Sequence, residues 1–170
     1  MARLFFALWP DDKTRQQIND VIEALPSKVG RRVTPENIHI TLAFLGSVRD
    51  EVTECLQDQA KIIRADGFKL SLDSLDWRKK PQIVWLAPSF VPDELTNLVM
   101  QINKAANDCG IKLEDRPYKP HITLLRKAKR KIPENSFRTI NWNVESFVLA
   151  QSVTHPEGVS YTVLNSWRLK

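Results

Sequence analysis

Apolar residues along this chain follow two rhythms, and each rhythm predicts an element. Short stretches at 3–8, 38–45, 68–77, 83–87, 144–151 and 161–169 are apolar or alternate with a period of two, and they predict strands. Between them apolar residues recur every three or four positions. Ile18, Val21, Ile22 and Leu25 form one such stripe within 11–25, with Asp11 or Asp12 as its N-cap. Val52, Cys55, Leu56, Ile62 and Ile63 form a second within 51–64, stopped by Ala65-Asp66-Gly67. Leu95, Leu98, Val99, Ile102 and Ala106 form a third within 92–109, stopped by Gly110. Gly46 closes the strand at 38–45. The turn around Lys79-Lys80-Pro81 joins 68–77 to 83–87 as an antiparallel pair, and Pro156-Glu157-Gly158 joins the last two strands.

The order repeats itself. Each half reads strand, helix, proline-bearing loop, strand, and the second strand of each half opens on the same tetrapeptide. These are His39-Ile40-Thr41-Leu42 and His121-Ile122-Thr123-Leu124. The pattern predicts an α+β fold of two pseudo-symmetric lobes, with antiparallel sheet inside, helices outside and a cleft between them. Residues 1–170 then form a single bilobal domain, a size that buries a substantial core.

Strand alternation assigns faces within the repeat. His39 and Thr41 point one way, Ile40 and Leu42 the other, and the same holds for the second copy. Strict alternation also places Ala43 beside His39 and Thr41, and Lys119 beside His121. It turns Arg126 away from the site unless the strand bends near its end. Of the three histidines in the chain, two head these repeats. Strand propensity would accept Val, Tyr or Phe at those positions at least as well, so the pair points to chemistry.

Composition changes this picture little. The formal charge is +5 and the pI about 9.3. Arg31-Arg32, Arg78-Lys79-Lys80 and the stretch 126–131 concentrate the positive charge, which suits either solvated loops or a polyanion such as nucleic acid. No apolar run approaches the roughly 20 residues that span a bilayer, so no membrane association is expected. The apolar stretch at 4–9 lacks the pattern of a signal peptide. Cys55 and Cys109 fall on separate helical segments without metal-ligand spacing, which predicts reduced, partly buried thiols in a cytoplasmic protein.

Two imidazoles that titrate near neutrality, at about 6.5 when unperturbed, can act together as acid and base. Transfer at phosphorus needs both, a base for the incoming oxygen and an acid for the departing one. Threonine hydroxyls two residues on can donate to the non-bridging oxygens as charge builds there. Arg126, just after the second motif, is a candidate phosphate clamp. Phe44, Trp85 and Tyr118 are candidates to stack on a base or to fill the core, and Arg78 and Arg116 to steer substrate from the rim. Zinc is the competing chemistry, but His155 sits in a turn with no counterpart in the repeat and reads as exposed. No Walker-type loop, dinucleotide fingerprint or Gly-x-Ser-x-Gly elbow is found, so no cofactor and no metal are expected.

Paired His-x-Thr-x motifs in two similar halves resemble the two-histidine phosphoesterases. Within them, the flanks 3–8, 37–46 and 116–126 and the closing strand at 161–167 resemble the prokaryotic RNA 2′,3′-cyclic phosphodiesterases, also called 2′-5′ RNA ligases. The resemblance covers essentially the whole chain. It implies metal-independent opening of an RNA 2′,3′-cyclic phosphate to a 2′-phosphate, and ATP-independent 2′-5′ joining at the same site. His39 would be the proton donor to O3′ and His121 the proton acceptor from water, with Thr41 and Thr123 holding phosphate oxygens. The partner is an RNA carrying a 2′,3′-cyclic phosphate end, and a monomer is the default. Two alternatives are a phosphate-end binding module without turnover and a phosphodiesterase for small cyclic nucleotides or 2′-5′ oligonucleotides.

Overall fold

The computed structural model describes residues 1–133 and 136–170. The chain runs β1 (Ala2–Leu8), α1 (Asp12–Ala24), β2 (Arg31–Arg32), a 3-10 turn (Pro35–Asn37), β3 (Ile40–Val48), α2 (Asp50–Ile62) and β4 (Phe68–Leu72). It continues through β5 (Ser74–Arg78), β6 (Ile83–Ala87), α3 (Asp93–Asp108), β7 (Ile122–Arg126), β8 (Ile140–Val144), β9 (Ser146–His155) and β10 (Gly158–Arg168). One sheet has the order β10-β9-β1-β3 and a second the order β2-β7-β6-β5, while β4 and β8 form a separate pair. All pairings are antiparallel. The inner strands correspond: β9-β1-β3 in one lobe matches β5-β6-β7 in the other, and the lobes differ in their fourth strand.

The helices form where the apolar stripes lie. Asp11 caps α1 by accepting from the Thr14 amide at 2.8 Å and from its hydroxyl at 2.9 Å. The stripe behind it buries Ile18, Val21 and Ile22. On α3, Leu95, Leu98, Val99, Ile102 and Ala106 are all buried as their spacing requires. The stripe of α2 is narrower than expected, since Leu56 is buried but Ile62 is 64% exposed. Alternate residues Leu4, Phe6 and Leu8 of β1 enter one continuous core with Val84, Leu86, Ile122 and Leu124 of the other lobe. The two lobes are therefore welded through a common apolar interior. The opposite face of β1 carries a smaller cluster of Phe5 and Ala7 with Val148 and Ala150, covered by Trp9 and Tyr161.

Several expectations are corrected. The stretch 68–77 is two strands, because the chain changes sheets at Asp73. That carboxylate accepts from the Ser89 amide at 2.8 Å and from its hydroxyl at 2.5 Å, while the Asp73 amide donates to the Ala87 carbonyl. Only Ser74–Arg78 pairs with β6, and β4 pairs with β8. Strand β8 shows clean alternation, with Ile140, Trp142 and Val144 buried, and precedes the expected strand at 144–151, which corresponds to β9. Gly46 does not close its strand; with φ of 74° it sits beside a register shift, and β3 continues to Val48.

Cys55 and Cys109 are not free thiols but a disulfide, with Cα atoms 5.9 Å apart across 54 residues. Each lay on its own helix in the sequence, and only the packing of α2 beside the end of α3 brings them together. Closing a loop of that length removes denatured-state entropy, and stabilisation of about 2–4 kcal/mol is expected. Reduction, or Cys55→Ser, should lower the urea midpoint correspondingly, and equal midpoints with and without reductant would contradict this.

Candidate active site

The motif strands put their residues in place by a shared irregularity. In β3 the partners of Phe6 and Ala7 are Ala43 and Thr41, so Leu42 is an extra residue. In β7 the partners of Val84 and Trp85 are Leu125 and Thr123, so Leu124 is the extra residue. Both motifs are thus bulged at their leucine. A bulge lets two successive residues bury, and Leu42-Ala43 and Leu124-Leu125 do so. It also reverses the parity of everything that follows. Ala43 therefore joins the core rather than lining the site, correcting the strict-alternation reading. Arg126 swings onto the face of Thr123, as a clamp requires, and Phe44 takes the matching place beside Thr41.

Each imidazole is oriented by its own main chain. His39 Nδ1–H donates to the Asn37 carbonyl at 2.7 Å, and His121 Nδ1–H donates to the Lys119 carbonyl at 2.8 Å. This fixes the tautomer and leaves each Nε2 with its lone pair. His39 Nε2 accepts from the Thr41 hydroxyl at 3.1 Å. The loop that carries Asn37 is itself held by Arg15 of α1, which donates to the carbonyls of Pro35, Ile38 and Pro10. Its guanidinium lies over the Trp9 ring, which stacks on His39 at 5.5 Å. Sequence reading did not single out Arg15 or Trp9, because neither belongs to the repeat.

The second lobe repeats the device with other residues. Trp85 packs on His121 at 4.5 Å, and Arg78 lies over Trp85 at 4.3 Å. Trp85 thus supports a histidine. Tyr118 is partly buried against the core and donates across the lobes to the Thr41 carbonyl at 3.1 Å, so it ties the second motif's loop to the first motif strand. Burial holds its hydroxyl well above the ordinary range, and it stays neutral. Arg116 is exposed and pairs with Glu114 at 3.2 Å. A Cβ at Gly30 would meet the Arg126 carbonyl at 2.7 Å, so the chain beside β2 passes against the backbone of Arg126 only as glycine. His155 accepts its place outside the site, hydrogen-bonded to Ser160 at 2.8 Å and exposed. Among the described residues no three His, Cys, Asp or Glu side chains converge.

The field around both rings is positive. Burial among Phe5, Trp9 and Tyr161 pushes His39 down from 6.5 to about 4, and Arg126, His121 and Arg15 add to the shift against the Asn37 carbonyl. Burial likewise lowers His121, with Arg116, Arg126 and Arg78 adding and the Lys119 carbonyl opposing. Arg126 acts on both. The ligand-free site therefore holds two neutral imidazoles facing a cationic rim, a receptor for an anion that brings a proton requirement with it.

The chain's sequence matches the 2′-5′ RNA ligase superfamily across residues 10–155. The chain belongs to that superfamily. It is 37% identical over 172 residues to the RNA 2′,3′-cyclic phosphodiesterase of Escherichia coli K12, covering 98% of this chain and 96% of that one. The enzyme of the same name from Archaeoglobus fulgidus is 30% identical, over 94% of this chain and 96% of its own. Among solved structures, E. coli LigT complexed with 3′-AMP superposes with a TM-score of 0.88 at 34% identity, covering 99% and 98% of the two chains. The α+β architecture of this superfamily member is thus shared along its whole length.

Nitrogen-detected NMR should find His39 neutral down to about pH 4 without ligand, and inorganic phosphate should raise both histidines. The folded value of His39 lies below the unfolded 6.5, so its neutral ring contributes stability that is complete above 6.5 and is withdrawn as pH falls through about 4. Titration of His39 at its ordinary value would contradict the enclosure described above.

Proposed function

We propose that this protein is an RNA 2′,3′-cyclic phosphodiesterase that opens the terminal cyclic phosphate to a 2′-phosphate by histidine acid–base catalysis without a metal. The observation that carries the mechanism is the pair of main-chain-anchored imidazoles at the heads of the two motif strands, each with an unprotonated Nε2. His121 Nε2 takes a proton from water as the water oxygen bonds to phosphorus. The P–O3′ bond breaks, and O3′ takes the proton carried by His39 Nε2. Thr41, Thr123 and Arg126 donate to the non-bridging oxygens.

The direction of this assignment is supported by the unequal enclosure of the rings. His39 lies among three aromatic rings and His121 against one. The more desolvated imidazole is the stronger acid once protonated, and the more open one the stronger base. An anionic phosphate between them favours a proton on either ring, and the productive form is the one in which His39 carries it. The same geometry accepts a 5′-hydroxyl in place of water, which would give a 2′-5′ linkage without ATP. Both halves of the site come from one chain, which suits a monomer acting on RNA ends.

Purified, EDTA-treated protein should convert an RNA oligonucleotide with a 2′,3′-cyclic phosphate end to the 2′-phosphate. His39→Ala and His121→Ala should each lose about a hundredfold to ten-thousandfold in kcat/KM, with the fold intact by circular dichroism. A diester with an activated aryl leaving group should rescue His39→Ala selectively, since that group departs without a proton; rescue of His121→Ala alone would reverse the roles. Tight binding of the RNA end without turnover would favour a binding module. Arg126→Ala should cost on the order of a hundredfold in kcat, and wild-type rates in that variant would remove it from the site.

A further inference from the structure

Three basic stretches that lie far apart in the sequence meet on the second lobe. Strand pairing sets Arg78 opposite Ile83, Ile83 opposite Arg126 and Arg126 opposite Arg31, so one row crosses β5, β6, β7 and β2. Residues directly opposite share a face, and like charges so placed are disfavoured without an anion between them. Neighbouring strands stand about 4.8 Å apart, so the three arginines span about 14 Å. The row is closed at its β2 end, where the β9–β10 turn sits on Arg31 and its guanidinium donates to the Glu157 carbonyl. At β5 it runs out into Lys79 and Lys80 of an exposed turn. Lys127 stands beside that turn with φ of 53°, a conformation uncommon for a residue with a side chain. This bend brings the Ala128 amide to the Gln82 carbonyl at 2.8 Å and the Ala128 carbonyl to the Trp77 indole N–H at 2.8 Å. Lys79, Lys80 and Lys127 are exposed and make no ion pair among the described residues. Asp76 meets Arg78 through Nε at 3.4 Å. The open half of the row lies on the side of His121, because Arg78 covers the Trp85 ring that packs on that imidazole.

We infer that this row seats a second RNA strand, the one that brings a 5′-hydroxyl to the cyclic phosphate. The inference rests on the phosphodiesterase reading and on His121 as the base. In an in-line displacement the attacking oxygen enters opposite the departing one. With O3′ leaving toward His39, the nucleophile arrives past His121. Water needs no cationic approach. A 5′-hydroxyl on an RNA strand does, because the strand's own phosphates follow it, the first of them one nucleoside away. Arg78, two strand spacings or about 10 Å from Arg126, is placed for that phosphate, and Lys79 and Lys80 for those after it. The step balances without ATP. His121 Nε2 takes the 5′-hydroxyl proton as O5′ bonds to phosphorus, the P–O3′ bond breaks, and O3′ takes the proton carried by His39. One phosphate ester bond is lost and one is gained. Contacts to phosphates carry no sequence information, so the row accepts a strand of any sequence.

The test uses adenosine 2′,3′-cyclic phosphate as donor and 5′-hydroxyl oligoribonucleotides of one, two and six nucleotides, blocked at their 3′ ends, as acceptors. For wild-type protein the acceptor KM for 2′-5′ joining should fall at least tenfold from one nucleotide to six. The double variant Lys79→Gln, Lys80→Gln should lose that length dependence, and the salt slope for the six-nucleotide acceptor should drop by about 1.4. Lys79→Arg with Lys80→Arg should keep both. Hydrolysis of the donor without acceptor should be unchanged in every variant, which also reports an intact fold. With hydrolysis intact, absence of joining, or joining indifferent to acceptor length, overturns the acceptor seat alone. A double variant that joins normally but hydrolyses a long cyclic-phosphate RNA poorly would instead assign the row to the donor strand and overturn it too. If wild-type protein opens neither the adenosine compound nor a cyclic-phosphate RNA end, the phosphodiesterase reading falls and this one with it.

Discussion

Everything at the site depends on one steric demand: each motif strand must bury two adjacent side chains on the same side. Leu42-Ala43 and Leu124-Leu125 both face the shared core, although an unbroken strand would turn one of each pair into the cleft. In β7 the bulge brings Leu125 inward, and burying a leucine stabilises by about 1.5–3 kcal/mol, whereas a ladder hydrogen bond contributes a net of about 0.5–1.5 kcal/mol. Burial wins, and the backbone accepts a bulge. The parity change that follows is what makes Arg126 and Phe44 neighbours of the threonines. Packing thus decides which side chains meet the substrate.

Electrostatics builds on that placement. The aromatic rings around each histidine exclude water, and the arginines beyond them supply positive potential. Trp9 with Arg15 and Trp85 with Arg78 are independent solutions to one problem, a flat apolar backing for an imidazole with a cation behind it. Neither pair occupies equivalent positions in the two lobes. The resulting surface responds to an anion most strongly where both rings and Arg126 converge.

Much of this was legible in the sequence, and the limits have physical causes. The helices were readable because a stripe at helical spacing must find a core, and α3 buries the residues its stripe named. The repeated tetrapeptide located both histidines and both threonines, since those lie before the bulge and obey simple alternation. Ala43 and Arg126 lie after it, where parity depends on tertiary packing that a single strand does not encode. The division of 68–77 between two sheets turned on one carboxylate, Asp73, capturing Ser89 from a distant loop. The disulfide was hidden for a similar reason, because helix-to-helix proximity is a property of the assembled core. Arg15 and Trp9 gave no local signal, as they act through other residues.

The anchoring of both imidazoles to carbonyls two residues upstream has an evolutionary consequence. A histidine oriented by a carboxylate depends on a second gene position being kept. Here the orienting partner is peptide backbone, which no point substitution deletes. A short cassette, loop plus strand, therefore carries a working half of the machinery wherever it is copied. Two such cassettes in one chain are free to differ at almost every other position, and here a cation follows one motif and an aromatic ring the other. Symmetry of this sort leaves room for division of labour within a single chain.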